Sequence, residues 1–226
     1  MEEITLSQII FLFFFSGFIS IDRLAGLNIM LSRPIVVSGI IGIVFSDIYA
    51  ALMIGLIFEF IGMLEVPVGT TITHDDTFGG YASSLAMVLG IVSPDAINIL
   101  AAILITSLLM YPVTYSDKAF RNINRYLVNK SIIKNTYNNE NKLIGLGVVL
   151  AFLRGVIIYN IGFFIIFLFM KYFKLIKLDI TNLYDPVLAL TLIATFMGGY
   201  LLRFLTINRL HKIILLGLGL LIGWFI

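Results

Sequence analysis

The stretch GLIFEFIGMLEVPVGTTITHDDTFGG, residues 55–80, places carboxylates inside a strongly apolar part of the chain. Glu59 lies in the middle of an apolar run of helix length, and Asp75 and Asp76 follow a polar turn between two such runs. A carboxylate at the centre of an apolar segment costs at least about 2.5 to 3.5 kcal/mol on insertion scales. We therefore expect Glu59 to face protein, water or a partner group rather than lipid.

The composition of the whole chain is that of an integral membrane protein. Of its 226 residues, 60% are hydrophobic and only 12% are charged, whereas soluble domains are roughly half apolar and a quarter charged. The first apolar run follows two glutamates and has no small-residue cleavage site, so we expect it to be retained. The absence of cysteine excludes disulfides and thiolate ligands. The net charge of +2 is too small to indicate nucleic-acid binding.

Apolar runs separated by polar or Gly/Pro-marked breaks predict an all-α polytopic membrane protein with about six to eight hydrophobic helical segments. The runs lie at 4–22, 35–46, 48–64, 77–92, 96–114, 143–170, 186–205 and 213–226. Several are shorter than the ~20 residues of a bilayer crossing, so we expect re-entrant or broken helices among them. Because short interrupted segments offer their helix ends to a substrate, residues 35–92 are the predicted functional region.

The one clearly hydrophilic stretch, residues 115–142, carries six basic residues against two acidic ones. The positive-inside rule therefore places it in the cytoplasm. Phe120, Ile123 and Leu127 recur at helical spacing, which predicts an amphipathic helix on the inner membrane surface that anchors the loop or docks a soluble partner. This connector divides a single transmembrane domain, residues 1–226, into a first half (1–114) and a second half (143–226), the layout expected of two pseudo-repeated halves.

Two deeply placed charges each allow two interpretations. Glu59 either hydrogen-bonds a ligand's hydroxyl groups, or is protonated or paired with a group such as Arg154 to hold helices together. Arg154 lies equally deep in its own apolar run. We favour a structural role for it, because its five donors can satisfy backbone carbonyls at broken helix ends.

The polar turn has the chemistry of a site for a neutral polyol. Its polar side chains are those of Thr70, Thr71, Thr73, His74, Asp75 and Asp76. Carboxylates accept hydrogen bonds from adjacent sugar hydroxyls, and an aromatic ring such as that of Phe78 or Tyr81 can cover the C–H face of a sugar. The alternative is a capped loop, in which Asp75 or Asp76 is the N-cap of a helix that begins near Thr77, as Asp47 is expected to be for the helix after it.

No catalytic centre is visible in the sequence. His74 and His211 are the two histidines, and neither adjoins a Gly-rich phosphate loop. The sequence shows no metal-ligand spacing, no Ser/His/Asp arrangement and no nucleotide fingerprint, so we expect no cofactor and no metal. These features favour a transport pathway over a chemical reaction.

Residues 33–76 resemble the membrane subunit IIC of the mannose/fructose/sorbose family of the bacterial sugar phosphotransferase system. The matching positions are Arg33, Pro34, Gly42, Asp47, Gly55, Glu59, Gly69 and Asp75, which fit that family's R-P, G-D, G-x-x-x-E and I-G-x-x-x-x-P-D pattern without a gap. The sequence departs from the pattern at Ser46, Ala51 and Leu56, where the family usually has Gly, at Pro67, where it often has Asn, and at His74, where it has Pro.

The resemblance implies a permease subunit that is not itself an enzyme. In the bacterial inner membrane it would associate with the membrane subunit IID, as part of an oligomer, and carry a hexose that a IIAB protein phosphorylates. The implied sugar-site residues are Glu59, Gly69, Thr70, Thr71, Asp75 and Asp76, and Asp47 and Arg154 would be structural or coupling residues. Two alternatives remain open: a transport-inactive scaffold or sensor that recruits phosphotransferase proteins, and a small ion-coupled transporter that uses Glu59.

Overall fold

In the computed structural model, all regular secondary structure within the described residues is helical, which confirms the predicted all-α class. The described residues are 5–26, 28–64, 72–89, 96–133, 140–173, 211 and 213–214. The helices are α1 (Leu6–Leu24), α2 (Pro34–Val44), α3 (Ile48–Leu64), α4 (Asp76–Val88), α5 (Ala96–Ile133), α6 (Glu140–Arg154) and α7 (Asn160–Phe173). The predicted run at 186–205 and most of the run at 213–226 lie outside the described residues. Much of the second of the two predicted pseudo-repeated halves therefore lies outside them as well.

Three helical segments in this part of the chain are long and apolar enough to cross a membrane: Leu6–Leu24, Asn98–Ser131 and Asn141–Tyr172. The last of these contains α6 and α7, which a π-helical turn at Gly155–Tyr159 joins into one continuous helix. α2 and α3 are shorter apolar helices. The combination of long spans and short apolar helices is that of a membrane protein with broken elements, as the run lengths predicted.

The short helices α2 and α3 form an antiparallel hairpin with very close backbones. Pro34 occupies the first turn of α2, where its missing N–H costs nothing. A Cβ added to Gly42 would lie 2.8 Å from the Cβ of Ala51, and one added to Gly55 would lie 2.7 Å from the Cβ of Ser38. Small residues at both levels therefore let the two helices touch along their length.

α4 is the central element, since every residue from 77 to 87 is buried. Its glycines are contact points: a Cβ on Gly79 would lie 2.2 Å from the Phe58 ring of α3, and one on Gly80 would lie 3.0 Å from Pro34 of α2. Phe78 and Tyr81 pack on the Tyr159 ring with centroids 5.6 and 5.7 Å away. The α2–α3 hairpin and the long helices thus enclose α4 between them.

The expected separate surface helix in the connector is instead the second half of α5. This helix continues without a break past the end of the apolar run, to Ile133. Asp117 and Phe120 are buried against the rest of the bundle, so this part of α5 is packed on protein along one face. Its basic side chains, those of Lys118, Arg121, Arg125 and Lys130, are exposed.

Candidate functional site

The N-terminus of α4 is the centre of a buried ionic cluster. Asp75 is the N-cap residue, and its carboxylate accepts a hydrogen bond of 3.0 Å from the backbone N–H of Phe78. Its own N–H donates to Thr114 Oγ1 of α5 at 3.2 Å. The Asp75 side chain is fully buried, so its negative charge requires partners from the protein.

Two arginines and a tyrosine supply those partners. Arg154 Nη2 lies 3.0 Å from Asp75 Oδ2, and Arg23 Nε lies 3.5 Å from Oδ1. The Tyr159 hydroxyl donates to the same carboxylate, 2.9 Å from Oδ2 and 3.0 Å from Oδ1. The π-helical turn begins directly after Arg154 and ends at Tyr159. It therefore brings both residues of one helix onto a single carboxylate.

Arg23 also holds the turn that precedes α4. Its Nη2 donates to the backbone carbonyl of His74 at 2.9 Å, and its Nη1 donates to Asp76 Oδ1 at 2.8 Å and to Thr77 Oγ1 at 2.9 Å. A guanidinium has several donors in a fixed fork, so one side chain can fix three groups of the same turn. The end of α1 is thereby tied to the start of α4.

Asp117 of α5 completes the cluster. Its carboxylate is in ionic contact with Arg154 Nη2, and its Oδ2 lies 3.7 Å from Arg23 Nε. Arg154 Nε also donates to Ser116 Oγ at 2.9 Å. The cluster therefore joins α1, α4, α5 and α6, and it sets three carboxylates, those of Asp75, Asp76 and Asp117, against two guanidinium groups.

The turn between α1 and α2 is fixed by a buried carboxylate of its own. Asp22 accepts backbone N–H groups from Ile29 and Ser32, both at 2.8 Å. The Ser32 carbonyl in turn accepts the Thr77 hydroxyl at 2.5 Å. The two polar turns, one before α2 and one before α4, are therefore bonded directly to each other.

Glu59 lies at the open end of the hairpin and pairs with Arg33 rather than with Arg154, so the suggested pairing with Arg154 is wrong. Its Oε1 lies 3.2 Å from Arg33 Nη1, and its Oε2 accepts the backbone N–H of Ile35 at 3.3 Å. The side chain is 13% exposed. Glu59 thus sits at the positive end of α2, where a carboxylate is favoured and where it satisfies a free N–H group.

Asp76 borders a small cavity beside α3. The cavity holds about 10 Å³, enough for about one water molecule. It is lined by Ile61, Gly62, Thr73, His74, Asp76 and Met110. A Cβ added to Gly62 would lie 2.0 Å from Asp76 Oδ2, so only glycine lets the carboxylate approach α3 this closely. Gly62 is three residues after Glu59, which places both on one side of α3.

The structure brings some of the predicted site residues together and separates others. Asp75, Asp76 and Arg154 belong to the ionic cluster, and Glu59 lies one helical turn from the Asp76 contact. Asp47 lies at the far end of the hairpin and accepts the Ala50 N–H at 3.1 Å, as the capping alternative predicted. The predicted residues Gly69, Thr70 and Thr71 lie outside the described residues.

Sequence reasoning did not select Arg23, Asp22, Asp117 or Tyr159. Asp22 and Arg23 form an acid–base pair where the first apolar run ends, and that pair was the available signal. Asp117 was assigned to the basic connector, and nothing in its local sequence distinguishes it from a solvated residue. Tyr159 has no sequence signal, because its position depends on the π-helical turn.

The described residues form a hairpin of short helices, a buried acid at the start of α4 and a basic connector. The chain was compared with known protein families. A family model described as the PTS system sorbose-specific IIC component matches residues 6–201. The chain belongs to this family. It is a sugar-transport subunit of a phosphotransferase system, and its spans place it in a membrane. No curated protein matched this IIC chain.

Proposed function

We propose that this IIC chain binds a hexose at the turn before α4 and carries it across the bacterial inner membrane together with the membrane subunit IID. A IIAB protein would then phosphorylate the sugar on the cytoplasmic side, which prevents its return. Membership of the family supports the transport role. The observation that supports the position of the site is the buried cluster, which fixes residues 74–77 with arginine side chains of α1 and α6 and a threonine hydroxyl of α5.

We assign the contacts with sugar hydroxyls to Asp76 and Glu59, together with the neighbouring residues Gly69, Thr70 and Thr71. Asp76 is 21% exposed and borders the cavity beside α3, and Glu59 is on the same side of that helix. Asp75 was also predicted as a sugar ligand. Because its carboxylate is fully buried with four protein partners, we assign it the role of positioning the turn.

Sugar binding then requires the α2–α3 hairpin to move relative to the turn. The cavity of about 10 Å³ is far smaller than the roughly 300 Å³ or more of a typical ligand site. Gly62 is the point where α3 approaches Asp76, and separation there would open the space between Glu59 and Asp76. Rocking of one helical group against another around such a site is the general form of alternating access.

The test is hexose binding by the purified chain with its membrane partner, using isothermal titration calorimetry and a panel of hexoses. We expect Asp76→Asn and Glu59→Gln each to weaken binding about tenfold or more, since a hydrogen bond to a charged group contributes about 1.5–3 kcal/mol. Gly62→Ala should weaken binding as well, because its methyl group displaces the Asp76 carboxylate. Asp47→Asn, far from the turn, is the matched control and should bind like the wild type.

Unchanged affinity in both carboxylate variants would overturn the proposed site. Sugar uptake in cells that lack all phosphotransferase proteins would overturn the proposed coupling and favour an ion-coupled transporter. A chain that binds no hexose with any partner, yet still recruits phosphotransferase proteins to the membrane, would favour the scaffold alternative.

A further inference from the structure

A groove lies between the end of α1, the second half of α5 and the start of α6, and none of its described lining residues belongs to the ionic cluster. Its volume is about 290 Å³, close to the lower end of the range for small-molecule sites. It is lined by Leu24, Ala25, Asn124, Leu127, Val128, Leu143, Ile144, Gly147 and Val148. Among the described lining residues, Asn124 is the only one with a polar side chain, so this part of the groove suits a hydrocarbon chain.

The groove is flanked by exposed positive charge. Arg121 lies one helical turn before Asn124 on α5, and Arg125 follows Asn124 directly. Lys142 precedes the lining residue Leu143 on α6, and it too is exposed. From residue 118 to 153 the sequence contains a single acidic residue, Glu140. An apolar groove with basic side chains beside it is complementary to an amphiphile that has a hydrocarbon tail and an anionic head.

Helix lengths support a position for this groove at a membrane boundary. The spans Asn98–Ser131 and Asn141–Tyr172 contain 34 and 32 residues, or about 51 and 48 Å at ~1.5 Å per residue, whereas the hydrocarbon core is ~30 Å thick. Both helices therefore extend beyond the core or tilt strongly. The side chains of Ile144 and Val149 are 67% and 53% exposed on α6. Exposed apolar side chains of α6 thus lie in and beside the groove that the basic half of α5 also lines.

We propose that this groove is a binding site for an anionic phospholipid, with an acyl chain between α5 and α6 and the phosphate held by Arg121 and Arg125. The groove is separate from the sugar-binding turn, so this assignment does not depend on the proposed hexose site. The lipid would fill the space between two helices that both also reach the ionic cluster, through Asp117 and Arg154.

Two glycines on α6 allow a matched test of the groove. Gly147 lines it, and among the described residues a Cβ at this position would meet only Asn124, at 3.9 Å, so a side chain there points into the groove. Gly145 lies two residues away, and a Cβ there would have no atom of the described residues within 4 Å. Gly147→Leu should therefore occupy the groove, while Gly145→Leu places the same side chain in open space.

The experiment is native mass spectrometry of the full chain in detergent with equimolar phosphatidylglycerol and phosphatidylcholine. We expect the wild type and Gly145→Leu to retain phosphatidylglycerol in preference to phosphatidylcholine, and Gly147→Leu to lose this retention. Arg121→Gln and Arg125→Gln should each weaken the preference about fivefold, since a basic side chain near anionic lipid contributes roughly a factor of this size. Both arginines are exposed, so these variants test the proposal even where Gly147→Leu fails to fold.

Three results would overturn the assignment. Equal retention of the two phospholipids by the wild type would show that the chain binds lipid without preference for an anionic headgroup. Unchanged retention in Gly147→Leu would exclude the groove as the site of the acyl chain. Equal loss in both glycine variants would show that the effect does not come from the groove, because Gly145 does not line it.

Discussion

Asp75 has two separate structural roles, and a substitution can remove one of them while it preserves the other. As an N-cap it satisfies a free N–H at the start of α4, which asparagine does about as well as aspartate. As a fully buried anion it balances Arg23 and Arg154, which asparagine cannot do. Removal of one partner from a buried ion pair leaves an uncompensated charge and typically costs 3–5 kcal/mol.

We therefore predict that Asp75→Asn lowers the free energy of unfolding by about 3 kcal/mol or more, although the cap itself is preserved. Asp47→Asn is the matched control, since Asp47 also caps a helix but has no described arginine partner within its reach. It should change stability by only a few tenths of a kcal/mol. Thermal unfolding in detergent, followed by circular dichroism, measures both. Equal losses in the two variants would show that capping, and not charge balance, is the main role of Asp75.

At single positions the sequence indicated which residues matter more often than what they contact. Glu59 and Arg154 were singled out because charges are rare in apolar runs, but their partners turned out to be Arg33 and the two aspartates Asp75 and Asp117. Partner choice depends on how helices distant in sequence are placed, which a one-dimensional pattern does not contain.

Ser46 shows a second limit of reasoning from residue type. The family pattern described above has Gly at this position. In the structure Ser46 has a φ of +62°, in the left-handed region that glycine adopts without cost. The preference for glycine is therefore explained by the tight turn between α2 and α3, and this chain tolerates a serine there.

Among the elements, the π-helical turn between α6 and α7 has the largest effect on the site. π-helical turns occur as single insertions in α-helices, often at functional sites. Here the turn is also where the helix touches α1, because a Cβ on Gly155 would lie 2.3 Å from the Ser16 backbone oxygen. Since backbone atoms cannot rotate away as a side-chain tip can, this contact requires glycine.

We predict that Gly155→Ala destabilises the protein by about 1–3 kcal/mol through forced separation of α1 and the π-helical turn. Gly145→Ala is the control on the same continuous helix. Since its Cβ would meet no atom in the part of the chain that the structure describes, it should be neutral or stabilise by up to about 1 kcal/mol through helix propensity. Thermal unfolding of the two variants side by side measures the difference. A harmless Gly155→Ala would mean that the two backbones are not in contact.

Element positions were well predicted where an apolar run and a helix coincide. The runs at 35–46 and 48–64 correspond to α2 and α3 within two residues at each end. The run at 96–114 predicted only the first half of α5. A hydropathy pattern shows where the side chains are apolar, and it does not show where the backbone helix ends. Pro112 lies inside α5 as well, so a proline does not mark its end either.

At the scale of the whole molecule, the cluster defines which ends of the helices lie on the same side. Arg23 near the end of α1 is in contact with Asp117, which marks the start of the basic half of α5. If that half is cytoplasmic, as its charge predicts, the beginning of α1 lies on the opposite side. The sequence alone left the side of the N-terminus open, because the short runs made the number of spans ambiguous.

Single-cysteine labelling tests this topology without background, since the chain has no cysteine. We predict that Asn129→Cys, exposed on the basic half of α5, reacts with a membrane-impermeant maleimide in inside-out vesicles only. Ser7→Cys, exposed at the start of α1, should react in right-side-out vesicles only. Labelling of both positions from the same side would contradict the arrangement.

The α2–α3 hairpin also has a consequence for how the chain is made. Glu59 is paired with Arg33 from the other arm of the same hairpin, so both members of the ion pair are present in the chain before any later segment has been synthesised. The two arms can thus leave the translocation machinery as one unit with a matched charge, and the anionic side chain never has to enter lipid alone. Loss of Arg33 would then affect biogenesis first, and the yield of inserted protein would fall before any defect in the mature subunit appeared.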